Sequence, residues 1–110
     1  MEEATPALAR LTGVCLDCAD ADELAEYYHR LLGWEIVAGD GGWVQLAAPG
    51  GSLTLNIQAE EWYRPPTWPE EPGGQDKMLH LEIEVTDLEA ALALAVDAGG
   101  RAAPPPAGRP

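Results

Sequence analysis

Apolar positions follow two alternating rhythms along this chain. In GVCLDCAD (13–20), Val14, Leu16 and Cys18 alternate with Gly13, Cys15 and Asp17. That period of two marks a strand with one buried face. Asp20, with Glu23 three residues on, is a helix-start signal: an acidic N-cap with a reciprocal capping residue. Leu24, Tyr27, Tyr28 and Leu31 then recur at the spacing of one helix face, and Gly33 stands where a left-handed C-cap would close it. WEIVAGD (34–40) and WVQLAAP (43–49) read as two further strands, joined by the tight turn DGG (40–42). After a second turn at PGG (49–51), SLTLNIQ (52–58) sets Leu53, Leu55 and Ile57 against Thr54, Asn56 and Gln58, a fourth strand. The first half of the chain is therefore β-α-β-β-β.

Residues 59–77, AEEWYRPPTWPEEPGGQDK, carry too many prolines and glycines for regular structure. An irregular segment of that length in a small domain is usually functional or a linker. The pattern then restarts in MLHLEIEVTDLEAALALAVDAGG (78–100). Leu81, Ile83 and Val85 alternate, and Asp87 caps a helix whose stripe is Leu88, Ala91, Leu92, Ala95 and Val96. A shift of 67 residues lays Gly13–Gly33 over His80–Gly100 without a gap, matching Asp20 to Asp87 and Gly33 to Gly100. Strand phase, cap and helix end all coincide, so the chain reads as a duplicated β-α unit. The expected organisation is one domain over 1–110: module one at about 11–58, a connector at 59–77, and a partial module two at 78–110.

Composition narrows the function classes. There are 6 Lys+Arg against 19 Asp+Glu, a formal net charge of -13. Nucleic acid and anionic membrane surfaces are disfavoured as partners, while neutral or cationic ligands are weakly favoured. No apolar run approaches the length of a membrane span, and MEEATPALAR (1–10) lacks the apolar segment of a secretory signal. With two cysteines and no such signal, the expected location is the reducing cytoplasm.

CADADELAEYYHRLLGWEI (18–36), with its strand, helix and Leu-Gly-aromatic close, resembles the vicinal oxygen chelate superfamily. Glyoxalase I, bleomycin-resistance proteins and extradiol dioxygenases belong to it. LDCAD (16–20) and LHLEIEVTDLEAALALAVDAGG (79–100) look most like its small bacterial glyoxalase-like members. The resemblance implies an α+β fold of paired βαβββ modules whose sheets form a cup around a ligand. Here the second module is expected to be incomplete in this chain. RAAPPPAGRP (101–110) has too many prolines and too few residues for three strands. A truncated gene, an unlisted C-terminus or completion by another subunit would each account for that. An open sheet edge and an uncovered apolar helix face favour association, so a homodimer is expected.

Alternation places Gly13, Cys15 and Asp17 opposite the helix-covered side, with His80, Glu82 and Glu84 equivalent in module two. The resemblance makes that opposite side the cup. Thr54, Asn56 and Gln58 join it from the fourth strand, and Trp43 and Gln45 from the third. Trp62, Tyr63 and Trp68 in the connector suit an aromatic lid over a planar or cationic ligand, or else a staple holding the linker down. The candidate ligand-binding set is Asp17, Trp43, Gln45, Asn56, Gln58, Trp62, His80 and Glu82.

The resemblance also implies where a metal would sit. Metal-using relatives take ligands from the first strand of each module, seven residues before the capping acid, and from the last strand. Those first-strand positions are His80 and Gly13, and glycine has no ligating side chain. His80 is thus the one candidate metal ligand, with Asp17 and Glu82 as possible neighbours for a divalent ion. The expectation is a small-molecule-binding protein with no cofactor. The alternative is a metal-dependent glyoxalase-type lyase or isomerase, or a dioxygenase relative, using His80 and nearby carboxylates. The C-x-x-C pair does not change this. Residues three apart on a strand face opposite ways, so Cys15 and Cys18 are expected as separate thiols.

Overall fold

The computed structural model describes residues 8–69 and 71–103. Its elements are β1 (Gly13–Cys18), α1 (Ala21–Leu32), β2 (Glu35–Gly39), β3 (Trp43–Ala47), β4 (Thr54–Ala59) and α2 (Leu88–Asp97), with a short 3-10 turn at Pro49–Gly51. Side-chain chemistry at the ends of α1 explains its limits. Asp20 is extended, and its Oδ1 accepts the Glu23 backbone N–H at 3.1 Å. Gly33 takes the left-handed conformation (φ 72°) and donates its N–H to the His29 carbonyl at 2.9 Å. His29 Nδ1 donates to the Trp34 carbonyl at 2.7 Å, which fixes the exit toward β2.

The four strands form one sheet in the order β1-β4-β3-β2. The pairs β2–β3 and β3–β4 are antiparallel, while β1 runs parallel to β4. The chain reaches that parallel position by crossing through α1, which then lies on one face. Cys18, Val44, Leu46, Leu55 and Ile57 turn to that face and bury against Ala21 and Ala25 of the helix. Leu46 and Ile57 are fully enclosed. Each such burial stabilises the fold by roughly 1.5–3 kcal/mol.

Two expectations need correction. The face of α1 that meets the sheet is Ala21, Leu24, Ala25, Tyr28 and Leu32, not a stripe through Tyr27 and Leu31. Small alanines let the helix approach closely, and Tyr27 turns to the rim, where its hydroxyl group lies against Gly100.

The second correction concerns module two. Residues 78–85 join no ladder. Leu81 packs against the core, whereas Ile83 and Val85 are 43% and 41% exposed rather than covered by α2. The reason follows from the topology. The first strand of module one pairs only with the last strand of its own module, and no equivalent strand is among the described residues.

Helix α2 does form. Asp87 Oδ1 accepts the Ala90 N–H at 3.0 Å, the same cap that Asp20 provides. It ends slightly differently from α1: Gly99, not Gly100, takes the positive φ (116°). An ion pair of 2.8 Å between Arg30 and Asp97 ties it to α1. None of its residues is buried. Among the described residues no helix is long and apolar enough to cross a membrane.

Candidate functional site

The face of the sheet turned away from α1 is polar, and the strand register arranges it in rows. Asp17, Gln58 and Trp43 form one row across β1, β4 and β3. Cys15, Asn56 and Gln45 form the next, then Gly13, Thr54 and Ala47. Five of the eight candidate residues therefore share one surface: Asp17, Trp43, Gln45, Asn56 and Gln58.

Side chains along the middle rows are linked by hydrogen bonds. Gln45 Nε2 donates to Asn56 Oδ1 at 2.9 Å, and Asn56 Nδ2 donates to Thr54 Oγ1 at 3.3 Å. Thr54 Oγ1 donates in turn to the Thr12 carbonyl at 3.3 Å. Gly13 is what makes room for this chain. A Cβ there would run into Thr54 Oγ1 and lie 3.0 Å from Asn56 Nδ2. The position that would carry a metal ligand in a metal-using relative is here closed by a neighbour's hydroxyl group.

The remaining three candidates lie apart from these rows. Trp62 is 84% exposed on the connector. With Tyr63, Arg64, Lys77 and Leu79 it walls a groove of about 880 Å³ that also reaches Cys15, Asp17 and Tyr28. That groove runs along the outer edge of β1, so Trp62 borders the polar face at its Asp17 end. His80 packs edge-on against Trp68, ring centroids 5.8 Å apart, and Lys77 Nζ lies 4.6 Å from the same Trp68 ring. Glu82 is exposed on the unpaired segment. Trp68 of the connector thus contacts both Lys77 and His80, a grouping that sequence reasoning missed. Its members are brought together by the path of a proline-rich loop, which leaves no periodic signal.

Among the described residues no three His, Cys, Asp or Glu side chains come together in a way that would hold an ion. The grouping of His80 with Asp17 and Glu82 is therefore not formed, and His80 is engaged with Trp68 instead.

The cysteines separate as their phase dictates. Cys15 is exposed, with its Sγ 3.9 Å from Gln58 Oε1. Cys18 is buried and donates to the Gln58 carbonyl at 3.5 Å. Both are free thiols, and burial pushes the Cys18 thiol above its ordinary range. Burial likewise raises the Tyr28 hydroxyl group.

A helix-backed four-stranded sheet with a polar open face, followed by a second capped helix, defines a mixed α+β protein built on the glyoxalase/bleomycin-resistance plan. Residues 13–109 match the glyoxalase-like domain family, and the chain belongs to that family, within the vicinal oxygen chelate superfamily. Two integron cassette proteins agree on the fold. An integron cassette protein from the mobile metagenome of the Halifax Harbour sewage outfall is similar, with a TM-score of 0.55 at 16% identity, over 81% of this chain and 70% of that one. A Vibrio cholerae integron cassette protein aligns with a TM-score of 0.52 at 21% identity, over 87% of this chain and 72% of that one. A Bacillus cereus protein described as a possible glyoxalase is 16% identical, with a TM-score of 0.47 over 56% of this chain. The present chain spans only 55% of that protein's length. No curated protein matches the sequence.

Proposed function

We propose that this protein binds a small organic molecule on the polar face of its sheet, without a full metal site. The observation that carries this reading is the hydrogen-bonded chain Gln45–Asn56–Thr54, which crosses two rows beside the row of Trp43 and Asp17. Polar side chains locked to one another by neighbouring strands form a preorganised surface, so a ligand meets them without ordering cost. Trp43, partly exposed in the neighbouring row with Gln58 and Asp17, supplies a flat apolar wall for a ring. The groove past Trp62 gives a route along the β1 edge. Two features support doing without a metal: the glycine at position 13, and the engagement of His80 by Trp68.

The same reading makes the protein a cytoplasmic homodimer whose second copy covers the apolar surface of residues 78–96. Met78, Leu79, Ile83, Val85, Leu88 and Leu92 are all exposed there.

A thermal-shift screen with organic ligands and with divalent metals tests the proposal. Stabilisation by an organic ligand that is lost in Asn56→Leu is the expected result. Stabilisation by zinc, nickel or manganese alone, abolished by His80→Ala, would overturn it in favour of metal-dependent chemistry.

A further inference from the structure

A second cavity lies away from the sheet face, where the start of α1, the connector and the end of α2 meet. Its volume is about 330 Å³, the size of a small ligand pocket. Asp20, Glu23 and Tyr27 line it from α1 and its cap, Tyr63 from the connector, and Gly99 and Gly100 from beyond α2. None of Trp43, Gln45, Asn56 and Gln58 reaches it. Gly100 is what lets the far wall come in. A Cβ there would lie 2.7 Å from the Tyr27 hydroxyl oxygen and 3.0 Å from its Cε2. The tyrosine thus packs on bare backbone, and the Arg30–Asp97 ion pair holds the end of α2 beside α1.

Three independent features make this wall attract positive charge. Asp20 and Glu23 are carboxylates without an ion-pair partner among the described residues. The second feature is the end of α2. The carbonyls of its last turn are taken: Leu94 by the Ala98 N–H, Ala95 by Gly100, Val96 by Gly99 and Asp97 by Arg30. The next two carbonyls, of Ala98 and Gly99, accept no hydrogen bond among the described residues and stand at the negative end of the helix dipole. Third, Tyr27 and Tyr63 add aromatic rings, whose faces attract cations. No Lys or Arg lines the cavity. The two carboxylates belong to no group of three ligating side chains, so a bare metal ion has no cage here. A cation that also carries apolar surface suits both the charge and the rings.

We propose that this cavity is a second binding site, for a small alkylated ammonium ion whose apolar body rests against Tyr27 and Tyr63 and whose charge faces Asp20 and Glu23. It shares none of the sheet-face candidates and stands independently of the reading given for that face.

Choline and neohexyl alcohol, its isostere with carbon in place of the charged nitrogen, separate charge from shape when titrated by NMR into the full chain. Choline is expected to move the backbone amide signals of Ala19, Gly99 and Gly100, and to bind about tenfold or more tighter than the alcohol. Two variants of equal net charge locate the effect. Glu23→Gln should weaken choline about threefold or more. The helix cap survives this change, because Asp20 holds the backbone N–H of residue 23 and not its side chain. Glu26→Gln removes a charge from the exposed surface of the same helix, outside the cavity, and should alter the affinity by less than about 1.5-fold. Tyr63→Leu should weaken choline while leaving the alcohol within roughly twofold.

Equal binding of the two probes, or no response to millimolar choline, would overturn the proposal. So would equal losses in Glu23→Gln and Glu26→Gln, which would reduce the effect to the protein's overall charge. Choline shifts centred on Trp43 and Asn56 would place the cation on the sheet face instead and refute the second site.

Discussion

Gly13 and Cys18 stand five residues apart on β1 and answer to opposite demands. Gly13 lies on the open face, where Thr54 Oγ1 occupies the space a side chain would need. Gly13→Ala is expected to force that hydroxyl aside and to destabilise the protein by about 1–3 kcal/mol, the usual cost of overpacking, read from urea denaturation. No loss of stability would show that the neighbouring strand yields freely. Cys18 lies on the covered face, and burial raises its thiol. The folded protein keeps that proton at pH values where the unfolded chain has already lost it. The resulting stabilisation is complete below about pH 8.5, where unfolded thiols begin to titrate, and is lost as pH rises through the raised value. Unfolding free energy should therefore decline from about pH 8.5 upward. Cys18→Ala should remove that early part of the decline and leave a later part, from about pH 10, due to the partly buried Tyr28. A pH profile identical in Cys18→Ala would contradict the assignment.

The two helices start with the same device and end up with unequal weight. Asp20 and Asp87 each accept the N–H three residues on, at 3.1 and 3.0 Å. Yet α1 covers the core, whereas α2 buries none of its residues. Asp20→Ala should cost about 1 kcal/mol of global stability. Asp87→Ala should cost under half of that in global unfolding, and show instead as faster amide exchange confined to α2. Equal global losses would mean that α2 unfolds together with the sheet. The same contrast separates what the sequence could convey from what it could not. In module one, burial on one side forces strict alternation, so strand phase and the sharing of one face by Asp17, Trp43, Gln45, Asn56 and Gln58 could be inferred from residue order alone. The contact face of α1 was misjudged because Ala21 and Ala25 carry little hydrophobic signal, although they lie nearest the sheet. Leu81, Ile83 and Val85 alternate as well as any strand here. Alternation reports which side chains would share a face, not whether a neighbouring strand is present to accept the hydrogen bonds.

At the scale of the whole molecule the apolar surface is lopsided. Leu88, Leu92, Leu94 and Val96 of α2 are exposed, beside Ile83 and Val85 on the preceding segment. The radius of gyration, 16.6 Å, exceeds the roughly 13 Å of a compact chain of about 100 residues. An apolar patch of this kind calls for a cover. Light scattering at micromolar concentration should give about twice the 11.7 kDa mass of one chain. Leu88→Glu combined with Leu92→Glu should shift the population to monomer, and a wild type that is already monomeric would refute the dimer.

The parallel pairing of β1 with β4 also sets an order of events. Gly13 faces Thr54 and Cys18 faces Ala59, so each ladder contact of β1 joins residues 41 positions apart. β2, β3 and β4 follow one another through short turns, and each can find its neighbour as soon as it has been made. β1 has no such neighbour at hand. It leaves the ribosome first, yet it can be paired only once the last strand of its module has appeared.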